Sequence, residues 1–311
     1  ASVPLPAWVG AGPAAAGVHT PAGAYGAQDN AFHPRSTLPV YRRQQFPDPV
    51  LGEKAATGTT IFETDAVRLW HLGDDVAILS FKSKQHVIGD DVLDGVLRAV
   101  DEAERGWAGL VIWQTKEPFS LGANLATIDP AVKAGRWDEI EAVVAKFQQA
   151  AQRLKYGLVP TVAAVRGMAL GGSCEFIMHC DRTVAALESY PGLVEVGVGL
   201  LPAGGGCKEF AVRAAQEVAR GANGGQADHF PFLRTYFQAI ATATVARSAK
   251  HAKELGYLRP ADVVVFNPYE VLHVARTQAK ALAESGYRPP LPARNVPAAG
   301  RTGIATLEMM L

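Results

Sequence analysis

VRGMALGGSCEFIMHCD, from Val165 to Asp181, runs from a mostly apolar stretch through two adjacent glycines and a serine into a second, almost wholly apolar segment. TVAAV (Thr161 to Val165), at its leading edge, reads as a buried strand. GGSCEFIMHC then reads as the opening of a helix. The first N–H groups of a helix lack internal acceptors and point out of its end, where the macrodipole also favours negative charge. Gly171 and Gly172 let a ligand oxygen approach that backbone closely. The junction can therefore hold an anion, or an oxygen that becomes anionic during a reaction. Glu175 lies one turn in, flanked by Cys174, Phe176, Ile177 and Met178. Desolvation there raises its pKa toward the range that a general acid or base needs. A plainer reading stands beside it, in which Glu175 is a helix-start acid stabilised by the dipole.

Working outward, DVAILSFK (Asp75 to Lys82), GLVIW (Gly109 to Trp113) and RTVAAL (Arg182 to Leu187) are further short apolar runs that read as buried strands. Helical stretches lie between them. DDVLDGVLRAVDEAE puts Leu93, Val96, Leu97 and Val100 on one face. WDEIEAVVAKFQQAAQRLK spaces Trp137, Ile140, Val144, Phe147, Ala151 and Leu154 in the same way. Strands alternating with helices predict an α/β layer architecture. Beyond Gly206 the pattern is mostly helical, in EFAVRAAQEVAR, FLRTYFQAIATATVARSAKHAKELG and PYEVLHVARTQAKALAESG. VVVF (Val263 to Phe266) is one more strand, and RPPLPARNVPAAGRTGIATLEMML reads as a loop. Upstream, no charged residue precedes Asp29, and the Ala, Gly and Pro there favour irregular, extended chain; VYRRQQFPDPVLGEKAATGTT continues as linker. The expected organisation is an extension or linker over 1–59, a core over 60–215 and a helical region over 216–311.

Bulk properties narrow the function. The 311 residues carry a formal net charge of zero and 48% hydrophobic composition. That is enough for a sizeable core, and it offers no electrostatic footprint for nucleic acid or a membrane surface. No run is apolar and long enough to span a bilayer, and no basic-then-apolar leader is present. Three cysteines without CxxC spacing fit a reducing cytoplasm better than a disulfide framework. The opening Ala1, in place of Met, fits a piece of a longer polypeptide. GGSCE fails the nucleophile-elbow pattern, because Glu175 takes the last glycine position. GLLPAGGGC fails the phosphate-loop pattern, with Gly205 where lysine is needed, and it lacks the context of a dinucleotide fingerprint. His179 beside Cys180 and Asp181 has no second ligand cluster nearby, so a packed or surface histidine is preferred to a metal group.

These segments carry a family likeness. TVAAVRGMALGGSCEFIMHCDRTVAA resembles the central signature of the crotonase (enoyl-CoA hydratase/isomerase) superfamily. FSLGANLATI (Phe119 to Ile128) resembles its F-S-x-G-A-D-L segment, and GLVEVGVGLLPAGGG (Gly192 to Gly206) its G-x-P-E-x-x-x-G-x-x-P-x-x-G-G segment. ARSAKHAKELGYL resembles a segment of its C-terminal helices. The resemblance implies a spiral of ββα units, whose strands form two nearly perpendicular sheets, followed by a C-terminal helical region. It implies a thioester carbonyl of an acyl-CoA held between the backbone N–H groups of Ala123 and Gly172. It also implies two reacting glutamates, Glu175 and Glu195. Gly122 and Gly171, next to those donors, are expected to bind the acyl-CoA substrate together with Lys82, Lys84 and His86, the last three at the CoA phosphates.

The expected reaction is reversible, syn-type hydration of 2-trans-enoyl-CoA to 3-hydroxyacyl-CoA. It needs no metal or redox cofactor, since CoA is part of the substrate. Isomerisation of 3-enoyl-CoA is an alternative needing one base, and a non-catalytic acyl-CoA-binding or assembly domain is another. A homotrimer or hexamer and a covalent or docked dehydrogenase partner are further expectations of the resemblance. The chain departs from the family pattern at Ser173 (third glycine), Asn124 (aspartate) and Val194 (proline). GGGCKEF stands for G-G-T-x-R-L, and FKSKQHVIGDD loosely for the CoA-pocket stretch.

Overall fold

The computed structural model of the chain describes residues 4, 6–20, 22–34, 38, 58–221 and 228–309, in two compact units, Ala1–Thr57 and Gly58–Leu311. Most of the expected linker over 40–60 lies outside the described residues.

In the first unit the expected irregular chain gives way to a small antiparallel meander. Strands β1 (His19–Thr20), β2 (Gly23–Gly26) and β3 (Ala31–His33) pair in that order after a 3₁₀ turn, Gly12–Ala16. Aromatic packing overrides composition here: the Tyr25 ring is buried and lies 5.4 Å from Trp8 and 5.8 Å from Phe32. Asn30 takes a left-handed turn conformation at φ 58°, which asparagine tolerates, and closes the β2–β3 hairpin.

The second unit is built on seven strands: β4 (Thr59–Glu63), β5 (Val67–His71), β6 (Val76–Phe81), β7 (Gly109–Trp113), β8 (Thr161–Leu170), β9 (Arg182–Gly192) and β10 (Val263–Val265). They lie in sequential order, antiparallel from β4 to β6 and parallel from β6 to β10. Crossover helices cover the parallel part, so β6 and β7 are buried at every position, as their unbroken apolar runs require. The helices are α1 (Asp90–Gly106), α2 (Leu125–Lys133), α3 (Trp137–Tyr156), α4 (Gly172–His179), α5 (Gly206–Gly221), α6 (Phe230–Ala241), α7 (Ala249–Glu254), α8 (Val271–Glu284) and α9 (Gly300–Glu308). α8 packs on β7, β8 and β9, which joins the C-terminal helices to the same sheet.

Two departures from the expected elements matter most. First, β8 and β9 run well past their expected ends. A bulge between Val165 and Gly167 breaks the register, and a second short ladder continues beyond it, pairing Gly167–Leu170 with Ser189–Gly192. Isolated bridges Ser120 to Ala169 and Ile88 to Ala123 widen it. Second, the helix expected over 232–256 is broken in the middle. Ala243 turns to φ 47°, Val245 bridges Gly192 of β9, and Ser248 starts α7 by accepting the His251 N–H at 3.1 Å. The C-terminal stretch expected as loop carries α9. β4, β5 and α2 have no counterpart among the elements expected from the sequence.

Candidate functional site

Three segments meet at the second ladder. The loop before α2 is bound to β8 where Ser120 N–H donates to the Met168 carbonyl (3.1 Å) and Leu170 N–H donates to the Ser120 carbonyl (3.1 Å). Ser173, one of the departures from the family pattern, secures the same junction: its hydroxyl lies 2.8 Å from both the Ser120 and the Leu170 carbonyl oxygens. On the other side of the loop, Ile88 N–H donates to the Gly122 carbonyl and Asn124 N–H donates to the Ile88 carbonyl. A parallel bridge of that kind turns the N–H of the intervening Ala123 away from Ile88. Gly172, the first residue of α4, has its N–H in the position where a helix provides no acceptor. Neither N–H has a hydrogen-bond acceptor among the described residues.

The two donors are neighbours through Gly122. A β-carbon there would lie 2.5 Å from the Leu170 carbonyl oxygen and 3.1 Å from the Gly172 nitrogen, and φ is +87°. No side chain fits, and the backbone conformation favours glycine. Gly122→Ala is accordingly expected to destabilise the fold by about 1–3 kcal/mol and to separate the donors. Urea denaturation reads the first effect, and a wild-type midpoint would refute it.

Glu175 sits in the first turn of α4, 3% exposed, and its Oε1 accepts the Gly206 N–H at 2.8 Å. The amides of Gly204 and Gly205 also turn toward the carboxylate. Gly204 comes so close that a β-carbon would lie 2.4 Å from Oε2. Burial, together with the charge of Glu195, pushes the Glu175 carboxyl up to about 8 against the pull of those amides. Glu195 opens a 3₁₀ turn, Glu195–Val198, after β9. Both of its carboxylate oxygens are shut off from solvent and have no hydrogen-bond partner among the described residues. Burial alone pushes this carboxyl up to about 7. Its Oε1 faces the glycine turn, 3.6 Å from where a Gly171 β-carbon would stand. Two acids 20 positions apart in sequence are thus brought into one region, where the charge of Glu195 acts on Glu175.

The expected CoA contacts divide. His86 Nδ1 lies 2.7 Å from the Pro118 carbonyl and the Gln85 carbonyl accepts from Leu121 N–H, which sets the 84–86 turn, Lys84 included, beside the donor loop. Lys82 faces elsewhere, paired with Glu63 at 2.8 Å and donating to the Thr64 carbonyl at 2.6 Å. Phe147 of α3 was not foreseen. Its ring fills the space against Gly172 and Gly204 and lies 4.9 Å from Phe176. Nor were the Gly204–Gly206 amides. Beside that turn, which Gln148 supports by donating to the Ala203 carbonyl, a cavity of about 420 Å³ is lined by Gln148, Gln152, Cys207 and Lys208 among others. A cavity of about 460 Å³ lies between α5, α6 and α7, away from both glutamates. Among the described residues no three His, Cys, Asp or Glu side chains gather as a metal-ligand set, and no helix is long and apolar enough to cross a membrane.

Residues 81–223 match the family described as enoyl-CoA hydratase/isomerase. The chain is 38% identical over 254 residues to a Bacillus subtilis protein named "Probable 3-hydroxyacyl-CoA dehydrogenase", covering 81% of this chain and 31% of that one. It is 31% identical over 154 residues to the "Fatty acid oxidation complex subunit alpha" of Idiomarina loihiensis, covering 47% of this chain and 21% of that one. It therefore spans less than a third of the length of either relative. Among solved structures, an enoyl-CoA hydratase from Bacillus anthracis superposes with a TM-score of 0.53 at 21% identity, covering 71% of this chain and 76% of that one. DspI from Pseudomonas aeruginosa superposes with a TM-score of 0.57 at 23% identity, covering 72% and 83%.

Proposed function

We propose that this chain, which belongs to the crotonase superfamily, hydrates 2-trans-enoyl-CoA thioesters to 3-hydroxyacyl-CoA. The observation that carries the reading is the buried carboxylate of Glu195 in the region of Glu175, next to two backbone N–H groups, with no hydrogen-bond partner for any of these three groups among the described residues. Hydration asks for that set. A water must be held and deprotonated as it adds to Cβ, a proton must reach Cα, and negative charge builds on the thioester oxygen between. In this reading Ala123 and Gly172 N–H receive that oxygen, and an oxyanion donor of this kind is worth about 10²–10³ in rate. The carboxyls hold the water and move the protons. With apparent pKa values near neutrality, the pair carries both an acceptor and a donor at once. The dehydrogenase and oxidation-complex names of the relatives make a 3-hydroxyacyl-CoA dehydrogenase the natural consumer of the product, on the same or a separate polypeptide. Assembly as a homotrimer or hexamer is part of the same proposal.

Mixed with crotonyl-CoA, the protein is expected to bleach the enoyl-thioester absorbance catalytically. Binding of the thioester without turnover would leave an acyl-CoA-binding domain. Turnover of 3-enoyl-CoA with none of crotonyl-CoA would leave an isomerase.

A further inference from the structure

A buried charge cluster stands directly behind the Gly204–Gly206 turn, and the proposed hydration gives it no role. α5 begins at Gly206, so its first turn carries Lys208 and Glu209 one step beyond the amides that face Glu175. Glu209 is 3% exposed. Its Oε1 pairs with Lys155 of α3 and with Lys208, and lies 3.6 Å from Nε2 of His179, the last residue of α4. His179 is buried, and its Nδ1 is 2.7 Å from the Glu175 carbonyl. A carbonyl only accepts, so Nδ1 carries the hydrogen, and Nε2 offers its lone pair to the Lys208 ammonium at 2.9 Å. That is a neutral imidazole, and burial holds it down to about 4. Burial works to raise the Glu209 carboxyl, but His179, once protonated in acid, together with Lys155 and Lys208, outweighs it and holds the group down to about 2. The His179 ring also lies flush against the turn, 2.6 Å from where a Gly205 β-carbon would stand. Three helices are therefore tied together at one point, immediately behind the amides.

We propose that Glu209, acting through His179, Lys155 and Lys208, is a positioning residue that holds the Gly204–Gly206 amides on the Glu175 carboxylate and so sets the pH range of proton transfer. The inference rests on the hydration reading for its kinetic consequence, though not for the geometry. Hydrogen bonds to the charged form of a carboxyl lower its pKa, and desolvation persists without them. A slackened turn therefore leaves Glu175 holding its proton more tightly. The other groups facing Glu175 are Glu195, Cys174 and Cys207, and those facing Glu209 also include Tyr156 and Arg213. The direct effect of charge has the opposite sign. Glu209→Gln removes an anion and leaves Lys155 and Lys208 uncompensated, which by itself lowers the Glu175 pKa.

The test tracks the Glu175 carboxyl by ¹³C NMR in the whole chain, its resonance assigned by loss in Glu175→Gln, alongside the pH profile of kcat on crotonyl-CoA. Glu209→Gln and His179→Gln are expected to move both the titration and the matching kinetic limb toward alkaline pH by about one unit, the worth of a charge-assisted hydrogen bond. His179→Gln exchanges one neutral group for another, so its shift contains no change of charge, and it decides the question if Glu209→Gln does not fold. Lower turnover with both limbs in place makes the cluster merely structural and overturns the proposal. An acid shift in Glu209→Gln, reading charge through space, overturns it as well. Should the wild type fail to hydrate crotonyl-CoA, the hydration reading falls, and the carboxyl titration alone still decides whether the cluster positions the turn.

Discussion

Glu175→Gln should lower kcat on crotonyl-CoA by about 10²–10⁴, the usual worth of a positioned proton-transfer group. The substitution is nearly isosteric. The amide oxygen of glutamine can still accept the Gly206 N–H that now bonds Glu175 Oε1 at 2.8 Å, so the turn keeps its anchor. The new NH₂ can donate toward Glu195, whose oxygens have no partner among the described residues. What is lost is the proton. The loss should therefore appear in kcat, with thioester binding kept, because the two backbone donors and the 84–86 turn are untouched. Glu195→Gln should fall by a similar factor. The double variant should lose little beyond either single one, since groups acting as a unit are not additive. A tenfold effect or less from Glu175→Gln, or a loss confined to KM, would remove Glu175 from the chemistry. Crotonyl-CoA turnover surviving at the wild-type rate in Glu195→Gln would remove Glu195 from the chemistry and leave Glu175 as the one reacting carboxyl.

Physical range separates the features the sequence disclosed from those it hid. Strands β6 and β7 are buried on both faces, so their apolar runs announce them, and the glycine pair before Glu175 marks the helix start because a close approach is local. β5 was missed because Arg68 and His71 interrupt VRLWH, although Val67, Leu69 and Trp70 are buried. α2 was missed because its signal is a cap, Asn124 accepting the Ala126 N–H at 3.3 Å, in a segment also carrying Pro130. The β1–β3 meander depends on Trp8, Tyr25 and Phe32 meeting, a contact that composition obscures. In the site, Glu175 and Glu195 were legible through family motifs, whereas the Gly204–Gly206 amides and the Phe147 ring come from other elements altogether. GGGCKEF was visible only as a departure. Its meaning needed Lys155 and His179, 54 and 30 positions before Glu209, to stand beside it.

Glu175→Gln should also make the protein more stable, and increasingly so as pH rises. The Glu175 carboxyl is raised from 4.5 to about 8 in the folded chain, and Glu195 to about 7. A carboxyl of raised pKa binds its proton more tightly when folded. Its contribution to stability is fully present below 4.5, where both states are protonated. It is lost as pH climbs through the folded value, because the unfolded chain ionises freely while the buried group must ionise unsolvated. Glutamine never ionises. At pH 5 the variant and wild type should therefore differ by less than about 1 kcal/mol, and at pH 9 the variant should lead by an amount on the order of 4 kcal/mol. Glu209 sets the opposite limit. Its carboxyl is held at about 2, so its contribution is present above the ordinary carboxylate range and disappears as pH falls toward that value. Wild-type stability should consequently pass through a maximum on the acid side of neutrality, with Glu209 responsible for the acid fall and the Glu175–Glu195 pair for the alkaline one. Urea denaturation of wild type and Glu175→Gln at pH 5 and pH 9 measures the difference. An equal gap at both values would mean that Glu175 ionises in the folded protein as easily as in the unfolded chain, and a carboxyl of that kind has no store of proton affinity to apply to a thioester.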